Sequence, residues 1–203
     1  MDVETQQRSH ELLLRLAGRL PDEHLWRFRD WNAAGSVQAL ARMLPLTLLR
    51  ERVGITAAES RMLSAAFGAT GVDAGRLTAI PWVDEIDDLG YTFTPESPDR
   101  ATLGDPVAVV LTAVLHGRPD VISAGMCWRA PRTGRAESQR LVLVTASGRH
   151  AELTGELQRV LRALGGRAPS VEVVAPGADL TAYHRAAADA AEPLLVGAQP
   201  VAS

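Results

Sequence analysis

The chain contains no lysine, so all 21 of its basic residues are arginine. It also has a single cysteine, a single asparagine and only nine aromatic residues among 203 positions. The absence of lysine excludes a Schiff-base lysine, a lysine general base and the lysine of a phosphate-binding loop. A GC-rich genome depletes lysine and asparagine together, so we interpret the absence as compositional and not as part of a mechanism.

The single cysteine excludes an intramolecular disulfide and a cysteine cluster for zinc or an iron–sulfur centre, which favours a reducing compartment. The polar N-terminus does not have the pattern of a signal peptide. The longest apolar run, residues 107–115, is far shorter than the ~20 residues of a membrane helix. We therefore expect a soluble, cytoplasmic protein with no membrane partner.

The charges of the chain are nearly balanced, with a formal net charge of −3. Residues 1–60 hold eight arginines and eight acids, and neither half of the chain is strongly basic. Nucleic-acid binding through bulk electrostatics is therefore disfavoured. Segment 36–53 superficially resembles the start of a helix-turn-helix, but Pro45 replaces the turn glycine and Glu51 stands at a core position, which favours a plain helical hairpin.

Apolar residues recur at helical spacing through the first seventy residues, which predicts a helical domain over 1–70. Within it, Pro21 is expected to open a second helix, with Asp22 and Glu23 in the first turn. Pro45 is expected to kink or split a third helix after Leu44. Thr56 and Glu59 have the spacing of a capping box. A connecting region follows over 71–104, with at most a short strand at 91–94.

Residues 105–203 alternate between helical and strand patterns. Asp105 and Pro106 are typical of a helix start, two strands should pair as a hairpin, and a helix closed by Gly165 and Gly166 leads to a third strand. A final helix is expected from Asp179 through Leu194. The predicted class is α+β: an N-terminal helical bundle, then a three-stranded sheet with helices on one face in the order α-β-β-α-β-α.

The second half of the chain resembles a known family. Residues 118–125 enter a strand, 141–144 form a second one, a long amphipathic helix leads to the strand 170–174, and a last helix holds Leu180 and Tyr183. This order resembles the C-terminal domain of the enhanced-serine-sensitivity (SseB-like) family over about residues 105–196. The resemblance implies a small α+β domain suited to binding or regulation, and it supplies no catalytic residues.

Tryptophan and arginine are enriched at the energetic centres of protein interfaces. Residues of these two types are adjacent or closely spaced in two segments. The candidate partner surface is therefore formed by Trp26, Arg27, Arg29, Trp128 and Arg129. The alternative is that the tryptophans belong to the core and the arginines extend outward from it.

A turn between a strand and a helix, Ser147-Gly148-Arg149-His150, is a candidate anion site, because backbone donors at a helix N-terminus and an arginine attract negative charge. With His184 it forms the alternative of a small-molecule sensor or enzyme. The opposing interpretation is an ordinary turn with a serine cap.

Two further groups of residues are candidate sites. The acidic cluster of Asp84, Glu85, Asp87 and Asp88 lacks calcium-loop spacing, which favours a solvated loop, so no metal site is predicted. Cys127 is followed by Trp128 and Arg129, but a lone strand cysteine is more often a small buried hydrophobe than a reactive thiol.

The leading functional hypothesis is a non-catalytic interaction or regulatory protein that binds a protein partner or forms a homodimer, with no catalytic residue and no cofactor. The first alternative is the small-molecule sensor or enzyme at the 147–150 turn. The second alternative is a DNA-binding regulator.

Overall fold

A computed structural model of the protein describes residues 3–68, 74–86, 90–96, 105–133 and 137–196. Asp87, Asp88 and much of the predicted connecting region lie outside these ranges, as do three residues of the hairpin loop. The chain divides into two compact units, one of residues 1–89 with 151–155 and one of residues 90–150 with 156–203. The described part contains no helix long and apolar enough to cross a bilayer.

The first unit is helical. Its helices are α1 (Val3–Arg15), α2 (Asp22–Ala33), α3 (Val37–Arg50), α4 (Ala57–Phe67) and the short α5 (Ala74–Thr78). The leucines of the predicted stripes are almost completely buried, which is the burial expected of amphipathic helices. The capping box is confirmed, because the Thr56 backbone N–H donates to Glu59 at 2.9 Å and the Glu59 N–H donates to Thr56 Oγ1 at 3.3 Å.

Of the two expectations about proline in this unit, a split of the third helix at Pro45 is wrong, and a helix that opens at Pro21 is confirmed. Pro45 lies inside α3, which stays one continuous helix from Val37 to Arg50. An interior proline costs about 3 kcal/mol. The face of α3 that contains Pro45 is buried, including Leu44 before the proline and Leu48 after it, and this burial offsets the cost. Pro21 is the cap residue of α2, and Asp22 and Glu23 lie in the first turn as expected.

The second unit contains a five-stranded mixed sheet. Its elements are β1 (Tyr91–Thr94), α6 (Pro106–Leu115), β2 (Val121–Pro131), β3 (Gln139–Ala146), α7 (His150–Ala163), β4 (Ser170–Val174), α8 (Ala182–Ala190) and β5 (Glu192–Val196), although residues 151–155 of α7 are assigned to the first unit. The strand order is β1-β2-β3-β4, and β5 also pairs with β2. All pairings are antiparallel except β3 with β4.

The α+β class is confirmed, and the predicted order α-β-β-α-β-α is found from α6 to α8. The sheet is larger than the three strands predicted, because β1 and β5 also pair with β2. They pair with successive segments of β2, β1 with residues 128–131 and β5 with residues 123–126. The final helix ends at Ala190, and Leu194 belongs to β5. Pro193 explains the difference, since proline is unfavourable inside a helix and acceptable in a short edge strand.

Helices cover both faces of this sheet and not one face as predicted. Gly125 and Leu143 form one wall of a small cavity with Leu180, just before α8, and with Ala188 of α8. Neighbouring residues alternate between the two faces of a strand. Trp128 therefore belongs to the opposite face, where it shares a cleft with residues of α6 and α7.

Candidate binding cleft

The most extensive concave feature that we describe in the second unit is an open cleft of about 690 Å³ on the α6 and α7 side of the sheet, which we call the Trp128 cleft. Its base comes from neighbouring positions of β2 and β3, and its walls come from α6, the end of α7 and the loop that follows α7. The lining residues are Val107, Trp128, Glu137, Ser138, Gln139, Arg140, Leu161, Leu164, Gly165, Gly166, Arg167, Ala168 and Pro169.

An arginine stacked on a tryptophan forms the centre of the cleft. Trp128 and Arg140 are direct cross-strand partners of β2 and β3. The guanidinium carbon of Arg140 lies 4.9 Å from the centroid of the indole ring. Cross-strand neighbours on one face are close enough for this contact, and the ring quadrupole attracts the cation. The stack therefore orients a planar group of hydrogen-bond donors at the base of the cleft.

Asp105 connects this arginine to the start of α6. Its Oδ2 lies 2.9 Å from Arg140 Nη2, and the Arg140 and Asp105 side chains are 18% and 10% exposed. The other carboxylate oxygen, Oδ1, accepts the backbone N–H groups of Val107 at 3.0 Å and Ala108 at 3.4 Å. The predicted cap of α6 is thus confirmed, and the same carboxylate forms an ion pair that the sequence did not indicate.

The rim of the cleft follows from how α7 ends. Gly165 has a φ of +96°, and the Gly166 N–H donates to the Leu161 carbonyl at 2.9 Å. This is the pattern of a glycine-terminated helix, as predicted from the Gly165-Gly166 pair. The turn leaves Leu164 41% exposed and brings Arg167 to the rim. The cleft therefore combines an apolar wall with a polar, charged rim.

The predicted partner-surface residues fall into two groups. Trp26 and Trp128 are partly exposed, and Arg27 is exposed beside Trp26. Arg29 and Arg129, by contrast, are only 2% exposed. Their assignment to a surface is therefore corrected: both are interior residues of their units.

Arg129 belongs to a buried polar cluster on the α8 face of the sheet. Its Nη1 donates to the Tyr183 hydroxyl at 2.6 Å and its Nη2 donates to Gln139 Oε1 at 2.9 Å. The guanidinium also stacks on the ring of Tyr91 at 4.7 Å. Hydrogen bonds and aromatic contacts compensate for the lost hydration of a buried cation.

His184, which the sequence named with the 147–150 turn, belongs to a second buried cluster that the sequence did not indicate. His184 Nε2 lies 3.0 Å from Glu172 Oε2, and the side chains are 2% and 0% exposed. Thr181 Oγ1 accepts the His184 backbone N–H at 3.4 Å and lies 2.7 Å from the ring Nδ1. Because an ionised carboxylate only accepts hydrogen bonds, Nε2–H donates to Glu172 Oε2. One signal was present: Glu172 is the single charged residue of β4 and stands between two valines.

The side chains of the predicted anion turn have partners within the protein. The Ser147 hydroxyl donates to the Asp120 carbonyl at 3.4 Å, and Arg149 forms an ion pair with Glu156 at 3.7 Å. His150 is buried, and its Nε2 donates to the Ala146 carbonyl at 2.9 Å. Gly148 is half-buried between them. The expected serine cap is absent, because Arg149 precedes α7 with no side-chain cap.

Cys127 is a buried residue of β2. Burial raises the pKa of its thiol to about 12, and the nearby Arg129 only partly opposes this effect. A thiol with so high a pKa is not activated at neutral pH. This supports the hydrophobe interpretation. Within the described ranges, no group of three or more His, Cys, Asp or Glu side chains has the arrangement of a metal site.

Comparison of the chain with protein-family models, curated proteins and solved structures finds no match. The resemblance to the SseB-like family therefore stays a prediction.

Proposed function

We propose that the protein is a non-catalytic interaction or regulatory protein and that the Trp128 cleft binds a segment of a partner protein. The observation that carries this proposal is the stacked pair of Trp128 and Arg140 at the base of an open cleft of about 690 Å³. Aromatic residues and arginine, surrounded by apolar contacts and a polar rim, form the energetic centre of protein interfaces.

The exposure of Leu164 supports the same proposal. Leu164 is a large apolar side chain, 41% exposed, on the wall of a cleft that also contains Leu161 and Val107. A partner side chain that covers this wall stabilises the complex by about 25 cal/mol for each Å² of apolar area removed from water. The partly exposed Trp128 provides further contact area with few rotatable bonds.

Site-specific photo-crosslinking tests the proposal. A benzoylphenylalanine residue is introduced in place of Leu164 in the cleft and, as a control, in place of Asp189, an exposed residue of α8 on the other side of the sheet. We expect a discrete adduct in producing cells only from the Leu164 position. An adduct of twice the mass of the chain identifies the partner as a second copy.

Two alanine variants show whether the adduct depends on the cleft. Trp128→Ala should abolish the adduct from position 164. Trp82→Ala removes a tryptophan that is 61% exposed and belongs to the other unit, so it should leave the adduct unchanged. Equal adducts from positions 164 and 189, or no adduct from position 164, would overturn the proposal.

A further inference from the structure

We propose that Arg140 recognises a carboxylate of the bound segment and that Asp105 is an internal competitor for the same guanidinium. The inference rests on the proposed function, because it assigns a ligand chemistry to the Trp128 cleft. The ligand group is the C-terminal carboxylate of a peptide whose last residue has an aliphatic side chain.

The orientation of Arg140 is the first argument. Its guanidinium carbon lies over the Trp128 ring, 4.9 Å from the centroid, and this contact restricts the position of the guanidinium before a ligand arrives. A guanidinium has five N–H donors in a rigid fork, which matches the two oxygens of a carboxylate. The ion pair places Nη2 2.9 Å from Asp105 Oδ2, whereas Arg140 Nε is buried without a hydrogen-bond partner among the described residues.

The second argument is that Asp105 does not need Arg140 to keep its place. Its Oδ1 is bound by two backbone N–H groups at the start of α6, whereas Oδ2 is the oxygen near Arg140. A ligand carboxylate that displaces Oδ2 from the guanidinium leaves the helix cap intact. Exchange of one carboxylate for another therefore requires no unfolding of α6.

The charge and shape of the cleft give the third argument. The charged residues of the lining are two arginines, Arg140 and Arg167, and one acid, Glu137. The remaining positive charge is balanced by Asp105, which lies beside the cleft and pairs with Arg140. Leu161, Leu164 and Val107 form the apolar wall. A carboxylate pairs with the charge of Arg140, and an adjoining aliphatic group packs against the apolar wall.

Two small probes separate this recognition from non-specific apolar binding. N-acetyl-leucine carries a carboxylate beside a leucine side chain, and N-acetyl-leucinamide is the same molecule with an uncharged amide. Each is titrated into the full chain, and the indole N–H resonance of Trp128, assigned with Trp128→Phe, is followed by NMR. We expect saturable shifts from the acid alone, with a dissociation constant on the order of 1 mM. Hexanoate serves as a third probe, because equal binding of this simple acid would assign the site to free organic acids and overturn the peptide assignment.

Two variants with opposite expected effects test the competition. Arg140→Gln should abolish the response to N-acetyl-leucine. Asp105→Asn keeps an oxygen that caps α6 but removes the competing charge, so it should tighten binding about three- to tenfold. Arg140→Lys retains the charge without the fork and should bind more weakly than the original chain. The dispersion of the amide resonances is recorded for each variant to check that it remains folded.

Several results contradict the inference. Equal shifts from the acid and the amide, no shift of Trp128, or retained binding in Arg140→Gln would refute carboxylate recognition. Unchanged or weaker binding in Asp105→Asn would refute the competitor role. These failures are distinguishable from failure of the proposed function, because crosslinking from position 164 does not depend on the charge of the ligand.

Discussion

Removal of the Tyr183 hydroxyl should destabilise the sheet-containing unit far more than the loss of a single oxygen atom suggests. In Tyr183→Phe, the buried Arg129 loses the acceptor that lies 2.6 Å from its Nη1. Hydrogen bonds to charged groups contribute about 1.5–3 kcal/mol, and Arg129 is only 2% exposed, so water cannot readily replace the lost oxygen. We expect a loss of about 2 kcal/mol in the free energy of unfolding.

Urea denaturation measures this loss. With a urea dependence of about 1–3 kcal/mol per molar, the midpoint should fall by about 1 M. The indole resonance of Trp128 reports on its own unit, which matters because two units need not unfold together. The m-value should stay unchanged.

Tyr91→Phe is the matched control. The Tyr91 ring stacks on the same guanidinium at 4.7 Å, but its hydroxyl has no hydrogen bond among the described residues. This variant keeps the stack and should shift the midpoint little. If Tyr183→Phe lowers the midpoint no more than Tyr91→Phe, the reasoning about the buried hydrogen bond is refuted.

Three further predictions follow from local geometry. Thr56→Ala removes half of the capping box of α4 and should cost about 1 kcal/mol in thermal or urea unfolding, while Thr56→Ser should recover most of it. Gly54→Ala places a Cβ 2.5 Å from Val83 Cγ1 and should cost about 1–3 kcal/mol, whereas a Cβ at Gly68 meets no described residue within 4 Å, so Gly68→Ala should cost little. Equal melting temperatures would contradict the clash. Cys127 should resist thiol reagents at neutral pH until the chain unfolds, because burial raises the pKa of its thiol from 9.0 to about 12. Between pH 9 and 12 the thiol of the unfolded chain loses its proton before that of the folded chain, so the free energy of unfolding should fall as the pH rises through this window. Cys127→Ala should remove this contribution from the pH profile of stability.

The helices and the central strands were predictable from sequence because their signals are local. The capping box at Thr56, the cap at Asp105 and the glycine end of α7 depend on residues within one or two turns of each other. The continuous α3 was not predictable in the same way. Its tolerance of Pro45 depends on burial by other helices.

The candidate site was only partly accessible to sequence reasoning. Trp128 was predicted as a binding residue and does line the cleft, but its stacking partner Arg140 is twelve positions away and was not singled out. Arg129 was predicted beside it on the same surface, although adjacent residues of a strand point to opposite faces. That alternation places Arg129 in the interior with Tyr183.

The sequence by itself determined what chemistry is available: no lysine, one cysteine without a partner, near-balanced charge, and helices and strands in an α+β order. Tertiary structure decided which of these residues meet. The pairing of β2 with β3 stacks Arg140 on Trp128, and the packing of α8 buries His184 against Glu172. Periodicity is a short-range property of the chain, whereas cross-strand contacts join residues that only the folded sheet brings into register.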